Sequence, residues 1–251
     1  MPIMKPRALL TVMAMGLVIA GASLARAAED ADPIVVELFT SQGCSSCPPA
    51  DKFLGDLAKQ PGILALSFHV DYWDYIGWKD PFASHQATLR QRKYAQAFDI
   101  AYVYTPQMIV QGSVQGVGSD RSDIESEIAR LRQKRPVHPS LAVERRGDGS
   151  LAVEVGAGEA LKPATVWLVC YDRHHETEVP RGENAGATLT DYHVVRHFEA
   201  IGTWKGEVIE LTVPPDEVAE YLGSPNGAIA VLVQSAGTGP ILAARMLPDR
   251  Q

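Results

Sequence analysis

The chain has 251 residues, of which 23 are basic and 30 acidic, for a net charge of −7 with histidine neutral. An acidic balance without a basic stripe excludes a phosphate backbone as partner, so no nucleic-acid binding is expected. Three cysteines are too few for a disulfide-dense scaffold, and the odd count leaves one thiol over if two of them pair.

Residues 1–28 have the layout of a secretory signal peptide. Lys5 and Arg7 precede an apolar run over residues 8–22, and Ala25-Arg26-Ala27 offers small residues for cleavage. Fifteen apolar residues are short for a membrane span, so no stable membrane insertion is expected once the leader is removed. The expected product is exported, periplasmic or secreted. Cleavage removes Lys5, Arg7 and Arg26, leaving 20 basic against 30 acidic residues and a net charge of about −10.

The stretch Val35-Val36-Glu37-Leu38-Phe39-Thr40-Ser41-Gln42-Gly43-Cys44-Ser45-Ser46-Cys47-Pro48-Pro49-Ala50-Asp51 reads as an apolar strand, a turn, a Cys-x-x-Cys pair and a helix opened by proline. Ala50, Phe53, Leu54, Leu57 and Ala58 then recur at helical spacing. A second strand is predicted over 63–70, which places both thiols at a strand-to-helix junction of a βαβ unit. The unpaired N–H groups of a helix start favour an anion, so Cys44 is expected to be the more thiolate-like sulfur and the attacking nucleophile. Cys47, one turn on, would resolve the mixed disulfide. Two cysteines are half a zinc site, and no second Cys-x-x-Cys follows.

Residues 69–81 hold two tryptophans, two tyrosines and three aspartates. Asp80-Pro81 is read as the start of a helix running to about residue 98, an insertion that either covers the thiols or packs onto the sheet. Within the predicted strand 102–110, proline is tolerated if Thr105-Pro106 is cis at its start. A hairpin follows at 111–116, then a helix with a Ser122/Glu125 capping box. Residues 135–139 break the pattern and mark a boundary, dividing the chain into a domain over 29–135 and another over 136–251. Beyond it the period becomes two. Strands are predicted at 141–144, 151–155, 165–171, 192–201, 207–213, 229–234 and 241–246, with a short helix over 214–222, which suggests an all-β, sandwich-like domain.

The order β-α-β then β-β-α, with Cys-x-x-Cys opening the first helix and Thr-Pro before the third strand, resembles the thioredoxin fold. More narrowly, the chain resembles a family of secreted bacterial thioredoxin-like proteins catalogued only as a domain of unknown function. Residues 37–51, His69-Val70-Asp71-Tyr72-Trp73-Asp74, Gly77-Trp78, Tyr104-Thr105-Pro106-Gln107, Arg181-Gly182-Glu183-Asn184 and His193-Val194-Val195-Arg196 carry the likeness. The resemblance implies an α/β thioredoxin-like domain with a helical insertion. It also implies Cys44 as attacking thiol, Cys47 as resolving thiol, Pro106 as the cis-proline beside them, and Thr105 offering its backbone to a substrate strand. Gly43 stands where thioredoxins usually have tryptophan, and Ser45-Ser46 replaces the familiar intervening pairs, so the redox direction is left open.

The function expected on this reading is thiol–disulfide exchange with periplasmic protein thiols or disulfides, needing no cofactor beyond the redox-active disulfide. A different class is copper(I) binding or delivery by Cys44, Cys47 and His69, a soft donor set suited to that ion. A third is a non-catalytic binding protein on the same fold. Asp71 is considered as a proton acceptor for the resolving thiol, His174-His175 as a solvated loop, and Cys170 as a buried inert thiol. Arg181, Glu183, Asn184 and Arg196 are expected to form a hydrogen-bonded network in the C-terminal part.

Overall fold

A computed structural model describes residues 32–133 and 138–248. The expected leader and the boundary residues 135–137 lie outside them. Strand β1 (Ile34–Thr40) leads through the cysteine loop into α1 (Pro48–Ala58), and β2 (Ile63–His69) returns parallel to β1. A 3₁₀ turn (Asp74–Ile76) and α2 (His85–Ala97) form the predicted insertion. Then come β3 (Gln107–Val110), β4 (Val114–Val117) and α3 (Arg121–Gln133). Helix α2 starts later than expected because Ser84, not Asp80, caps it, accepting from the Ala87 N–H at 3.1 Å. Likewise Asp120 rather than Ser122 accepts the Asp123 N–H before α3. The strand expected from 102 begins only at Gln107, after a cis Thr105–Pro106 bond.

All seven strands predicted beyond residue 136 form, but not as a free-standing sandwich. They are β5 (Leu141–Arg145), β6 (Leu151–Val155), β7 (Ala164–Glu178), β8 (Thr188–Trp204), β9 (Ile209–Val213), β10 (Gly227–Ser235) and β11 (Ile241–Met246), with α4 (Pro215–Tyr221) before β10. Four of them extend the N-terminal sheet, giving eight strands in the order β11-β10-β7-β8-β2-β1-β3-β4; β5, β6 and β9 make a separate three-stranded sheet. The result is a mixed α/β architecture with one large mixed sheet and few helices. The join is parallel pairing of β8 with β2 at Ser67 and Val194. Val194 lies opposite Asp172 of β7, at the end of the stretch that β7 shares with β10, so β8 alone bridges the two groups of strands. Strands from both sides of the expected boundary therefore share one sheet, and the described residues form one compact unit.

The alternation of side chains across strands decides the layers. Val36, Leu38, Met108 and Val110 face α1 and α3 with Phe53, Leu54, Leu57, Ile124 and Ile128. Val35, Phe39, Leu64, Leu66, Phe68 and Ile109 face the other way, and their cluster continues through Tyr94 of α2 into Val169, Phe198, Ala230 and Leu232. On the C-terminal strands the remaining face, including Val166, Leu168, Val231 and Val233, packs on Leu141, Val143, Leu151 and Val153 of the small sheet.

A buried polar knot pins the insertion to both halves of the sheet. Glu37 of β1 is fully buried and pairs with Arg90 of α2 at 2.6 Å, and also accepts from the Tyr94 hydroxyl. Gln234 of β10 accepts from Arg90 at 3.2 Å and donates to the Tyr94 oxygen at 2.8 Å. The guanidinium lies 4.3 Å from the Phe198 ring centre. No signal in the sequence marked Glu37 as paired, since its partner lies 53 residues away.

Helix α1 also crosses β8, and Gly55 makes that approach possible: a Cβ there would fall 2.5 Å from the Tyr192 ring. Helix propensity alone favours Gly55→Ala by roughly 1 kcal/mol. Overpacking against a ring costs about 1–3 kcal/mol, so the variant is expected to be destabilised, read as a lower urea midpoint at unchanged m-value. A midpoint equal to or above wild type would show that Tyr192 moves freely.

Candidate functional site

Cys44 and Cys47 form a disulfide with Cα atoms 5.5 Å apart. Cys47 is the N-cap of α1, and Pro48 and Pro49 fill the positions whose N–H groups a helix start leaves without partners. The two cysteines are 1% and 0% exposed, whereas Ser45 and Ser46 between them face solvent. The cis Thr105–Pro106 peptide sits against this loop: Cys44 Sγ is 4.0 Å from the Thr105 carbonyl oxygen. Ser46 Oγ lies 3.4 Å from Cys44 Sγ and 3.5 Å from the same carbonyl, so its one proton can serve either. The four residues Cys44, Cys47, Thr105 and Pro106 are thus brought together.

The aromatic insertion both packs and holds this loop. Trp73 Nε1 donates to Thr105 Oγ1 at 2.8 Å, and Trp78 Nε1 donates to Gln42 Oε1 at 3.0 Å. A side chain at position 43 would press on Trp73, its Cβ 3.1 Å from that of the indole residue. That close approach accounts for glycine, rather than a bulky residue, before the first cysteine.

Beneath the loop lies a buried quartet, Asp51, His69, Asp80 and Asp191. His69 Nδ1 is 2.7 Å from Asp80 Oδ2, and its Nε2 is 3.8 Å from Asp191 Oδ1. Gln42 ties the quartet to the cysteine loop: its backbone N–H donates to Asp80 at 2.8 Å and its side-chain amide to Asp191 at 2.6 Å. Burial first, and then the Asp191 charge, push Asp51 up to about 8 against the pull of the His69 ring. Burial pulls His69 down, but Asp80, Asp191 and Asp51 together outweigh it and hold the imidazole at about 9. Burial also works to raise Asp80, yet the His69 charge and hydrogen bonds leave it below its usual range, while Asp191 stays raised. At neutral pH the quartet therefore holds an ion pair, His69–Asp80, beside a protonated Asp51.

His69 is engaged by the carboxylates of Asp80 and Asp191. Among the described residues no group of three or more His, Cys, Asp or Glu side chains is placed to hold a metal ion. Asp71 is engaged at the start of α2, where it accepts from Thr88 Oγ1 at 2.6 Å and pairs with His85 at 2.9 Å. The buried acid near the pair is instead Asp51, four residues after Cys47 and so on the same helix face. That spacing was the available signal.

The segment 181–184 reaches the site from the other end of the chain. Asn184 Nδ2 donates to the carbonyls of Gln42 and Cys44 at 2.8 and 3.1 Å, and the Ser45 N–H donates to Glu183 Oε2 at 3.2 Å. Arg196 is elsewhere, 3.8 Å from Asp172 and over the Phe82 ring. His174 and His175 lie in β7 rather than in a loop; His175 pairs with Asp172 at 2.9 Å. Cys170 is a free, buried thiol of β7 that burial pushes up. The larger clefts lie off the disulfide; one of about 560 Å³ is lined by Arg145, Arg173, Leu222, Ile229 and Leu247.

The sequence profile of the family described as "Protein of unknown function (DUF1223)" matches residues 35–234, spanning the cysteine loop, the insertion and the 181–184 segment. The chain belongs to DUF1223. The X-ray crystal structure of protein AGR_C_4864 from Agrobacterium tumefaciens is similar to it, with a TM-score of 0.75 and 32% identity over 87% of this chain and 96% of that one. No curated protein matches the sequence. The DUF1223 match runs unbroken from β1 to β10, in keeping with one sheet built from both halves.

Proposed function

We propose that the chain is an exported thioredoxin-like protein that exchanges disulfides with protein thiols through Cys44 and Cys47. The observation that carries this reading is the Cys44–Cys47 disulfide at the N-terminus of α1, set against a cis Thr105–Pro106 peptide. The order β1-α1-β2, then β3-β4-α3, with α2 inserted, supports a thioredoxin-like half. The three-stranded sheet over β7 and β10 supports a sandwich-like C-terminal part.

In the oxidising direction a substrate thiolate attacks Cys44 Sγ, the Cys44–Cys47 bond breaks, and Cys47 leaves as a thiolate. A second substrate thiolate then attacks the substrate sulfur of the mixed disulfide. The substrate gains a disulfide and Cys44 leaves as a thiolate, so two electrons have passed to the protein. In the reducing direction Cys44 attacks a substrate disulfide and Cys47 attacks Cys44 Sγ to release the dithiol. A helix N-terminus stabilises the Cys44 thiolate in both. Because Cys44 is 1% exposed, an incoming sulfur must first displace part of its cover, formed by Ser46, Thr105 and the 183–184 segment.

The reduction potential of the pair tests this reading, measured in chelated glutathione buffers with Cys170→Ser removing the spare thiol. A reversible two-electron couple is expected, near roughly −120 to −180 mV for an oxidant or isomerase and near roughly −270 mV for a reductant. Cys47→Ser should accumulate mixed disulfides through Cys44, and Cys44→Ser should not. Absence of a reversible couple together with no trapped adduct would overturn the proposal.

A further inference from the structure

The 181–184 segment is built to place one charge. Gly182, at φ +84°, packs so closely on the insertion that a Cβ there would lie 3.0 Å from Trp78 Cβ. Asn184 is anchored on the other side by two hydrogen bonds to loop carbonyls, at 2.8 Å to Gln42 and 3.1 Å to Cys44. Glu183, between these two fixed residues, accepts the Ser45 N–H at 3.2 Å. That N–H belongs to the peptide immediately after Cys44, so an anion is seated where the helix-start loop would otherwise favour the Cys44 thiolate.

We infer that Glu183 is a positioning residue that holds a negative charge against the Cys44–Ser45 peptide and lowers the thiolate population of Cys44 in the reduced protein. The inference rests on the thiol–disulfide reading above and gives the C-terminal half a part in it: the segment before β8 sets how reactive the nucleophile is. Other charges near the loop do not compete for this role. Asp80 and Asp191 reach it only through Gln42, and Asp51 lies one turn below Cys47. His69 is paired with Asp80, and the 105–106 turn presents the Thr105 carbonyl and hydroxyl. All of these stay in place when Glu183 alone is changed. A unit charge ~6 Å away in a water-like dielectric is worth about a threefold change in thiolate population.

The test compares wild type, Glu183→Gln and Asn184→Ala, all in the full chain with Cys170→Ser. The reduced proteins are alkylated with iodoacetamide across a pH series, and the Cys44 adduct is quantified by mass spectrometry at low and high salt. Glu183→Gln keeps the acceptor for the Ser45 N–H and removes only the charge. Its alkylation below the profile midpoint should be about threefold faster, the midpoint should move to lower pH, and the difference should shrink in 0.5 M salt. Asn184→Ala, which frees the segment, should shift the profile in the same direction. Superimposable profiles for wild type and Glu183→Gln overturn the inference. So does a shift in Asn184→Ala alone, because the clamp would then act by shape rather than charge. Alkylation needs only reduced Cys44, so these outcomes are read independently of whether the pair shows the reversible couple on which the proposed function depends.

Discussion

Arg90→Ala is expected to lower stability by about 3–5 kcal/mol, the cost of leaving a buried carboxylate without its partner. That is a large fraction of the roughly 5–15 kcal/mol by which domains are held folded. Glu37 sits in the middle of β1 at 0% exposure, where, among the described residues, Arg90 and the Tyr94 hydroxyl satisfy it. The same guanidinium reaches Gln234 on β10 and stacks over Phe198 of β8, so its loss loosens three elements at once. Arg90→Lys is not expected to rescue, because an ammonium lacks the planar fork and the stacking face. Joint replacement by Glu37→Leu and Arg90→Met should cost less than Arg90→Ala alone, since no charge is left buried. Urea midpoints at constant m-value measure all four proteins. An Arg90→Ala loss below about 1 kcal/mol would mean that water or another side chain satisfies Glu37 in the variant.

Stability is expected to fall as pH rises from 6.5 to 9, by something on the order of 2–4 kcal/mol. Folded Asp51 keeps its proton up to about 8, whereas the unfolded chain has lost it by about 4. The folded state therefore holds the extra proton across that window, and each step upward in pH costs stability. His69 works with the same sign: its contribution is fully present below about 6.5, where the unfolded ring is also protonated, and is gone above about 9. Asp80, held below its usual range, contributes stability above its unfolded value that is lost only in acid. His193, which burial holds below its usual value, adds an opposing slope only at and below about 6.5. The optimum therefore lies in mild acid. Calorimetric midpoints in half-unit steps check this, and Asp51→Asn should flatten the curve between 6.5 and 8. A wild-type profile level or rising over that range, or an unchanged slope in Asp51→Asn, would dispose of the argument.

What could be read from the sequence was what is encoded within a few residues. Cys44, Cys47 and the two prolines announced a helix start, and Thr105-Pro106 announced a cis bond at the mouth of β3. The strands 141–144 and 151–155 were given by alternation around a glycine turn. What could not be read was pairing at long range. Strands β7 and β8 were predicted at 7 and 10 residues and run to 15 and 17, because their outer turns are half-polar and held by each other rather than by a core. The strand predicted at 192–201 already held Val194, which pairs with Ser67 of β2, but no local pattern names that partner, and so the single sheet stayed hidden. The quartet was missed for a related reason. His69 was placed correctly at a strand end, but its carboxylates come from positions 51, 80 and 191, which no local pattern links. Gln42 and Asn184 are amides, which carry no chemical signature until their partners are known.

The residues that complete the cysteine loop are separated from it by about 140 positions: Asn184 from Cys44 by 140, and Asp191 from Gln42 by 149. A disulfide closing three residues can form as soon as its thiols meet an oxidant, whereas contacts of such separation must wait for the chain's last third and are closed slowly. Bond formation and site formation are therefore different events in the life of the molecule. In a chain ending before residue 181 the pair can be oxidised while its loop carbonyls, the Ser45 N–H and the quartet all lack their C-terminal partners. The order of assembly keeps a cross-linked but immature chain from having the environment that its own C-terminal strands supply.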